Sequence, residues 1–218
     1  MAQPLAVIVG AGPGIGMAAA RRFAQGGFRV AVVCRPSDPV AAFQADLAAL
    51  SPALALGADL ERAEALAEAL AAIAAWGGAP EVLVYNASAG ARGPAAELDP
   101  ARLRADFQVN VGSALASAQW ALPAMRAAGR GTLLFTGGGL ALGPKPGLAA
   151  ACLGKAALRS LALALAAELA PEGIHAATVT VCGFVQPGSA LAPEHVAQAF
   201  WDLYEQEKTG WDGEQTMQ

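Results

Sequence analysis

The fold of this 218-residue chain is decided by the stretch Val7-Ile8-Val9-Gly10-Ala11-Gly12-Pro13-Gly14-Ile15-Gly16. An apolar run typical of a buried strand leads through closely spaced glycines into an alanine-rich run typical of a helix. Glycines permit a tight turn and a close approach of the backbone to a pyrophosphate, which the N–H groups and dipole of the helix N-terminus favour. The stretch therefore predicts a dinucleotide-binding loop between a strand and a helix, and the alternative is a turn with a structural role only.

Short apolar runs alternate with long runs rich in alanine and leucine along the whole chain. Apolar runs without internal alternation suit strands that are buried on both faces, and strand–helix alternation implies a parallel sheet with right-handed crossovers. The pattern predicts an α/β fold, a doubly wound parallel sheet in three αβα layers, and the absence of a linker predicts a single domain over residues 1–218. Strands are predicted at 5–9, 29–34, 53–56, 81–85, 131–136 and 176–182, and helices at 15–25, 39–50, 61–76, 99–128 (with a break), 154–169 and 193–207.

The composition limits the compartment and the partners. A net charge of −4 that is evenly spread leaves no basic face for nucleic acid. The three cysteines lie far apart and no signal peptide is evident, which predicts reduced thiols and a cytoplasmic protein. No membrane span is expected, because the most apolar stretch, 156–169, is short and carries charges. No metal site is expected either, because potential ligands lack a recognisable spacing.

Arg35 follows the second predicted strand and indicates which dinucleotide the loop would hold. An acidic residue at this place would bind the ribose 2′-hydroxyl and favour NAD. An arginine can pair with a 2′-phosphate instead. NADP(H) is therefore predicted in preference to NAD(H), and a solvated arginine is the alternative.

The spacing of Gly10, Gly14 and Gly16 resembles that of the short-chain dehydrogenase/reductase family, and the resemblance covers most of the chain. Residues 82–88 are similar to the family's Asn-Asn-Ala-Gly segment, residues 109–112 to the segment of its structural and catalytic asparagine, and residues 183–185 to the turn that covers the nicotinamide. The resemblance implies a Rossmann fold and a family role for Asp59 at the adenine, with a helix cap as the alternative. The implied cofactor-binding residues are Gly10, Gly12, Gly14, Ile15, Gly16, Arg35, Asp59, Asn86, Lys155, Phe184 and Val185.

The resemblance fails at two positions that carry the family's chemistry. Gly154-Lys155-Ala156-Ala157-Leu158 is similar to the family's Ser-Lys-Ala-Ala-Leu, so Ala151 stands where the family has its tyrosine and Gly138 where it has its serine. In the family the tyrosine protonates the developing alkoxide, and the serine orients the substrate carbonyl. The lysine lowers the pKa of the tyrosine and binds the ribose of the cofactor. The resemblance thus implies a cofactor site that lacks the usual proton donor.

Three residues are candidates for the remaining chemistry. Lys155 keeps the family's position, Asn110 would hold a water near it, and Tyr85 is the only tyrosine near the predicted cofactor site, with a packed aromatic as the alternative. Neither His175 nor His195 is expected to act as a base. Two functions stay open: an NADP(H)-dependent oxidoreductase that acts on a small-molecule carbonyl or imine by an atypical proton route, and an NADP-binding sensor, regulatory protein or non-redox enzyme.

The connection after the sixth predicted strand is short and spans only 186–193, where the family usually has a substrate-binding lid. We therefore expect a site that is open, or that is completed by a partner subunit or by the tail with Trp201, Tyr204 and Trp211. The helix at 154–169 is apolar nearly all round, which favours burial on more than one face. A homodimer or homotetramer through the helices at 99–128 and 154–169 is the expected assembly.

Overall fold

A computed structural model describes residues 3–218, which form one sheet of seven parallel strands with helices on both faces. The strand order is β3-β2-β1-β4-β5-β6-β7. The strands are β1 (Leu5–Val9), β2 (Arg29–Cys34), β3 (Ala53–Gly57), β4 (Val82–Tyr85), β5 (Gly131–Gly138), β6 (Ile174–Val181) and β7 (Glu214–Met217). The helices are α1 (Ile15–Gln25), α2 (Val40–Ala48), α3 (Ala63–Gly77), α4 (Pro100–Phe107), α5 (Ser113–Ala128), α6 (Ala149–Leu169) and α7 (Pro193–Glu205). The predicted fold class is confirmed.

Two apolar layers cover the two faces of the sheet. On one face the strands pack against α1, α2 and α7, and on the other they pack against α3, α5 and α6. Successive residues of one strand point to opposite faces, so Ala6 and Ile8 of β1 enter the first layer while Val7 and Val9 enter the second. Burial on both faces explains why the strands read as apolar runs without alternation.

The edge strand β7 is absent from the sequence-based prediction. Three of its four residues, Glu214, Gln215 and Thr216, are polar, so it lacks the apolar signal of the inner strands. Side chains hold it to its neighbours: the Glu214 carboxylate pairs with the Arg159 guanidinium of α6 and accepts a hydrogen bond of 2.6 Å from the Thr180 hydroxyl of β6. Contacts between residues far apart in the chain therefore define this strand.

Two helices differ in detail from the prediction. The predicted break in 99–128 is confirmed, since a π-helical segment, Gln108–Gly112, separates α4 from α5. Helix α6 begins at Ala149, five residues before the predicted start at 154. The helical stretch Ala149–Glu172 is long and apolar enough to cross a membrane by length and composition, so the apolar stretch 156–169 underestimated its length. Its buried residues Leu158, Ala162, Leu165 and Leu169 pack in the core.

Asp99 caps helix α4 at its N-terminus. Its carboxylate accepts hydrogen bonds from the backbone N–H groups of Ala101, at 3.0 Å, and Arg102, at 3.2 Å. We expect Asp99→Ala to lower the free energy of unfolding by about 1 kcal/mol, because both N–H groups lose their acceptor. Urea denaturation measures the change, with Glu97→Ala on the same exposed segment as the control. Equal stability of the two variants would contradict this role.

Candidate functional site

The glycine loop between β1 and α1 contains two glycines that packing requires and two that face open space. Gly10 has a φ of +95°, and a Cβ atom on it would lie 2.2 Å from the backbone nitrogen of Ala87. A Cβ atom on Gly16 would lie 2.4 Å from the carbonyl oxygen of Gly10. By contrast, no atom from the described part of the chain lies within 4 Å of the Cβ positions of Gly12 and Gly14. The loop therefore presents an accessible backbone at the N-terminus of α1, where an anion is favoured.

A first cavity of about 470 Å³ opens beside this loop at the carboxyl ends of β1, β2 and β3. Its walls include the four loop glycines, Arg35 and Asp38 after β2, Asp59 after β3 and Asn86 after β4. The structure thus brings the predicted residues Arg35, Asp59 and Asn86 together with the loop. Ligands of open α/β sheets bind at this place, where the strand order reverses its direction.

The Arg35 guanidinium is held at the edge of the first cavity by Asp38, a residue that the sequence analysis missed. Arg35 donates from Nη2 to Oδ1 of Asp38 at 2.8 Å and from Nε to Oδ2 at 3.2 Å. Asp38 also accepts from the backbone N–H of Arg35 at 3.0 Å. These bonds lower the pKa of the Asp38 carboxyl, chiefly through the Arg35 side chain. The side chain of Arg35 is 75% exposed, so its remaining N–H groups stay accessible.

Asp59 is not the cap of helix α3, because that helix begins at Ala63 with Arg62 at its cap position. The Asp59 carboxylate instead accepts a hydrogen bond of 3.0 Å from the backbone N–H of Glu61, in the turn before the helix. The helix-cap alternative is therefore wrong, and Asp59 lies in the wall of the first cavity. Arg102 of α4, which the sequence analysis did not single out, lies in the same wall and pairs with Glu61 at 2.8 Å.

A chain of hydrogen bonds links the glycine loop to Lys155. The Asn86 amide donates to the carbonyl of Gly10 at 2.7 Å and accepts from the Thr136 hydroxyl at 2.8 Å. The Lys155 ammonium donates to the carbonyl of Thr136 at 2.7 Å. Burial lowers the pKa of Lys155 to about 8. Thr136 takes part through both its side chain and its carbonyl, and it joins Asn86 to Lys155.

Asn110 lies in the π-helical segment and is buried. Its side-chain amide donates to the carbonyl of Ala89 at 2.7 Å and accepts from the N–H of Ala89 at 2.9 Å. It also packs against Gly154, where a Cβ atom would lie 2.4 Å from the Asn110 nitrogen. Asn110 thus fixes the loop after β4 beside α6. Its contact on α6, Gly154, directly precedes Lys155. The water that it would hold near Lys155 stays a prediction.

Tyr85 does not reach either cavity, which corrects its prediction as a catalytic residue. The side chain is fully buried at the end of β4, and its hydroxyl donates to the carbonyl of Val109. Burial raises the pKa of Tyr85. A hydroxyl that is inaccessible, bonded and weakly acidic cannot exchange a proton with a bound molecule. Tyr85 is the packed aromatic that was its alternative.

A second cavity of about 600 Å³ continues from the first along the ends of β5 and β6. Ile15, Asn86 and Ser88 line both cavities, so the two form one groove. Four residues that the sequence analysis discussed line the second cavity: Gly138, Lys155, Phe184 and Val185. Ala151 is not in its wall; the loop after β4 lies against it, and a Cβ atom on Gly90 would be 2.8 Å from the Ala151 methyl group.

The tail does not complete the site. Trp201 and Tyr204 of α7 pack around Phe28, next to the start of β2. Trp211 stacks on His175 with 4.8 Å between the ring centroids, at the start of β6. All three therefore lie at the amino ends of the strands, on the opposite edge of the sheet from the groove, and this alternative is wrong.

The two histidines also lie outside the groove. His175 is buried in β6, where its Nε2 is 3.0 Å from the carbonyl oxygen of Asp212. His195 is exposed on the first turn of α7, with its Nδ1 3.2 Å from the carbonyl oxygen of Ala190. Within residues 3–218 no group of three or more histidine, cysteine, aspartate or glutamate side chains could hold a metal ion.

The reversal of strand order, the glycine loop and the groove across the strand ends define a dinucleotide-binding Rossmann fold. The family model of short chain dehydrogenases matches residues 4–194, and the chain belongs to this family of oxidoreductases.

Three similar proteins illustrate the relationship. Oxidoreductase asL5 of Sarocladium schorii is 34% identical over 169 residues, which cover 78% of this chain and 67% of that protein. A short-chain dehydrogenase from Rhodopseudomonas palustris has a similar structure, with a TM-score of 0.88 and 29% identity over 100% of this chain and 99% of the other. A metagenomic short-chain oxidoreductase in complex with NADP gives a TM-score of 0.87 and 29% identity, over 98% of this chain and 95% of the other.

Proposed function

We propose that this protein is an NADP(H)-dependent oxidoreductase that acts on a small-molecule carbonyl or imine without a catalytic tyrosine. The observation that carries the proposal is the single groove that runs from Arg35, past the glycine loop, to Lys155. The complex of the metagenomic relative with NADP supports the choice of cofactor.

The residues along the groove fit a nicotinamide dinucleotide. The accessible loop at Gly12, Gly14 and Ile15 would hold the pyrophosphate. Arg35 would pair with the 2′-phosphate, and Asp59 would contact the adenine. At the other end Asn86 and Lys155 would hold the nicotinamide half, under Phe184 and Val185. When bound, the nicotinamide supplies the hydride.

The proton route must differ from that of the family, because Gly138 and Ala151 carry no hydroxyl groups. Lys155 is the titratable group in the cavity wall whose lowered pKa, about 8, lets it release or accept a proton near neutral pH. Asn110 and an ordered water would connect Lys155 with solvent. An iminium substrate would accept the hydride without a proton in the same step.

Cofactor preference gives a direct prediction with two opposite variants. Arg35→Ala should weaken NADPH binding by about 10- to 100-fold and leave NADH unchanged, because a charge-assisted bond to the 2′-phosphate contributes about 1.5–3 kcal/mol. Asp38→Asn should strengthen NADPH binding, because the guanidinium loses its competing carboxylate. Isothermal titration calorimetry measures both affinities. Fluorescence is less suitable, because within residues 3–218 no tryptophan lies in the walls of the two cavities. NADPH affinity that Arg35→Ala leaves intact would contradict the preference.

The second candidate is an NADP-binding sensor, regulatory protein or non-redox enzyme. The lack of hydroxyl groups at positions 138 and 151 and the short connection before α7 favour it. It predicts NADPH binding without NADPH consumption over a panel of ketones, imines and enones. Gly138→Ser with Ala151→Tyr would then gain activity, and the structure has room for the first change, since a Cβ atom on Gly138 would be 3.7 Å from its nearest neighbour, Lys155.

We also propose a cytoplasmic homodimer or homotetramer that associates through residues 99–128 and 154–169. Leu115, within the first range, and Leu153, directly before the second, are large apolar side chains that the single chain leaves exposed. Sedimentation of the wild type and of Leu115→Glu would test this assembly. A monomeric wild type would contradict it.

A further inference from the structure

The charged side chains that line the second cavity are positive. Of residues 3–218, Lys145 and Lys155 are the only charged ones in its walls. The carboxylates of the groove, those of Asp38, Asp59 and Glu61, all line the first cavity. The two halves of the groove therefore differ in charge, and the second half favours an anion.

Lys145 is anchored at this cavity by its backbone. Its N–H donates to the Cys152 sulfur of α6 at 3.4 Å, and its carbonyl accepts from the N–H of Leu148 at 3.2 Å. The same segment is also joined to the loop after β4, because the N–H of Gly93 donates to the carbonyl of Gly147 at 3.1 Å. The position of the lysine is thus set by the fold around α6.

The Lys145 ammonium forms no ion pair with any carboxylate of residues 3–218. Lys155 differs, since its ammonium is bound to the carbonyl of Thr136 and is assigned to the cofactor in the proposed function. Lys145 is therefore the charge in this cavity that is available to a second ligand.

Apolar side chains at the same cavity are unusually exposed. Phe184 is 86% exposed, Leu142 is 54% exposed, and Val185 beside them is partly exposed. Exposed apolar side chains that cluster at a cavity mark a binding surface for an apolar molecule.

We propose that the substrate is an apolar carbonyl or imine compound that carries a carboxylate, and that Lys145 binds this carboxylate. This inference rests on the proposed function and adds the class of substrate to it. The apolar body would lie against Leu142 and Phe184, and the reacting carbon would lie near Lys155.

Two fluorescent probes of matched shape test the charge preference without the cofactor. The probes are 1-anilinonaphthalene-8-sulfonate, an apolar anion, and N-phenyl-1-naphthylamine, which lacks the sulfonate. The wild type should bind the anion about two- to fivefold more tightly, as expected for a partly exposed ion pair. Lys145→Gln should remove this preference and leave the neutral probe unchanged. Lys208→Gln, an exposed lysine at the opposite edge of the sheet, is the control and should change neither affinity. Equal affinities of the wild type for both probes would overturn the proposal.

Turnover separates this inference from the proposed function. With NADPH, 2-oxo-4-phenylbutanoate should have a higher kcat/KM than its ethyl ester, and Lys145→Gln should raise KM for the acid alone. Binding of NADPH together with equal kcat/KM values for acid and ester would refute the inference and leave the proposed function intact. A retained probe preference without any NADPH binding would refute the proposed function and leave the anion site intact.

Discussion

Gly16→Ala should abolish NADPH binding and lower the free energy of unfolding by about 3 kcal/mol or more, at the upper end of the effect of overpacking. The added Cβ atom would lie 2.4 Å from the carbonyl oxygen of Gly10 and 2.7 Å from the Cα atom of Ala11. Both neighbours are backbone atoms, which cannot rotate away as a side chain can. The loop must therefore shift, although alanine is the better helix former by about 1 kcal/mol.

Gly14→Ala is the matched variant, two residues earlier in the same loop. No atom of the described residues lies within 4 Å of its Cβ position, so the free energy of unfolding should change by no more than about 1 kcal/mol. The methyl group would occupy the space beside the N-terminus of α1 and should weaken NADPH binding at least about tenfold. Urea denaturation and calorimetry measure the two effects separately. Wild-type NADPH affinity in Gly14→Ala would show that the phosphates do not bind at this loop.

Lys155→Met should abolish detectable hydride transfer, a loss of at least about 100-fold, and should stabilise the fold at neutral pH. Burial lowers the pKa of Lys155 from 10.5 to about 8, which means that the buried ammonium destabilises the folded state. Below pH 8 the folded and unfolded chains are both protonated, and the full penalty is present. Between pH 8 and 10.5 the unfolded chain binds more protons, so the stability of the wild type should rise with pH.

The difference in stability between Lys155→Met and the wild type isolates this effect. The variant should be more stable at pH 7, and its advantage should shrink towards pH 10.5. Lys208→Met, at the opposite edge of the sheet, is the control and should show no such change. An advantage of Lys155→Met that is independent of pH would contradict a buried ammonium, and full hydride transfer in this variant would contradict its catalytic role.

The core of the fold was predictable because burial on both faces leaves a strong apolar signal in β1, β2, β4, β5 and β6. The polar edge strand β7 has no such signal, since the Glu214 bonds to Arg159 and Thr180 depend on the assembled sheet. Helix α6 was predicted too short, because alanine-rich sequence around Ala149 leaves the start of a helix poorly marked.

The candidate site was predictable where a motif fixes the backbone, as at Gly10, Gly16 and Asn86. It was not predictable where side-chain direction decides. Tyr85 follows Val84, and because successive residues of a strand face opposite layers, Tyr85 points into the layer with α3, α5 and α6. The pairing of Asp38 with Arg35 and the anchoring of Lys145 by Cys152 likewise depend on how two loops fold, which no periodicity in the sequence reports.

The most direct test of the groove as an NADP(H) site is a calorimetric titration of the wild-type protein with NADPH and, separately, with NADH. We predict that one NADPH binds to each chain, and that it binds at least about tenfold more tightly than NADH because Arg35 meets the 2′-phosphate. Heats of binding that are absent for both dinucleotides would contradict the proposed function.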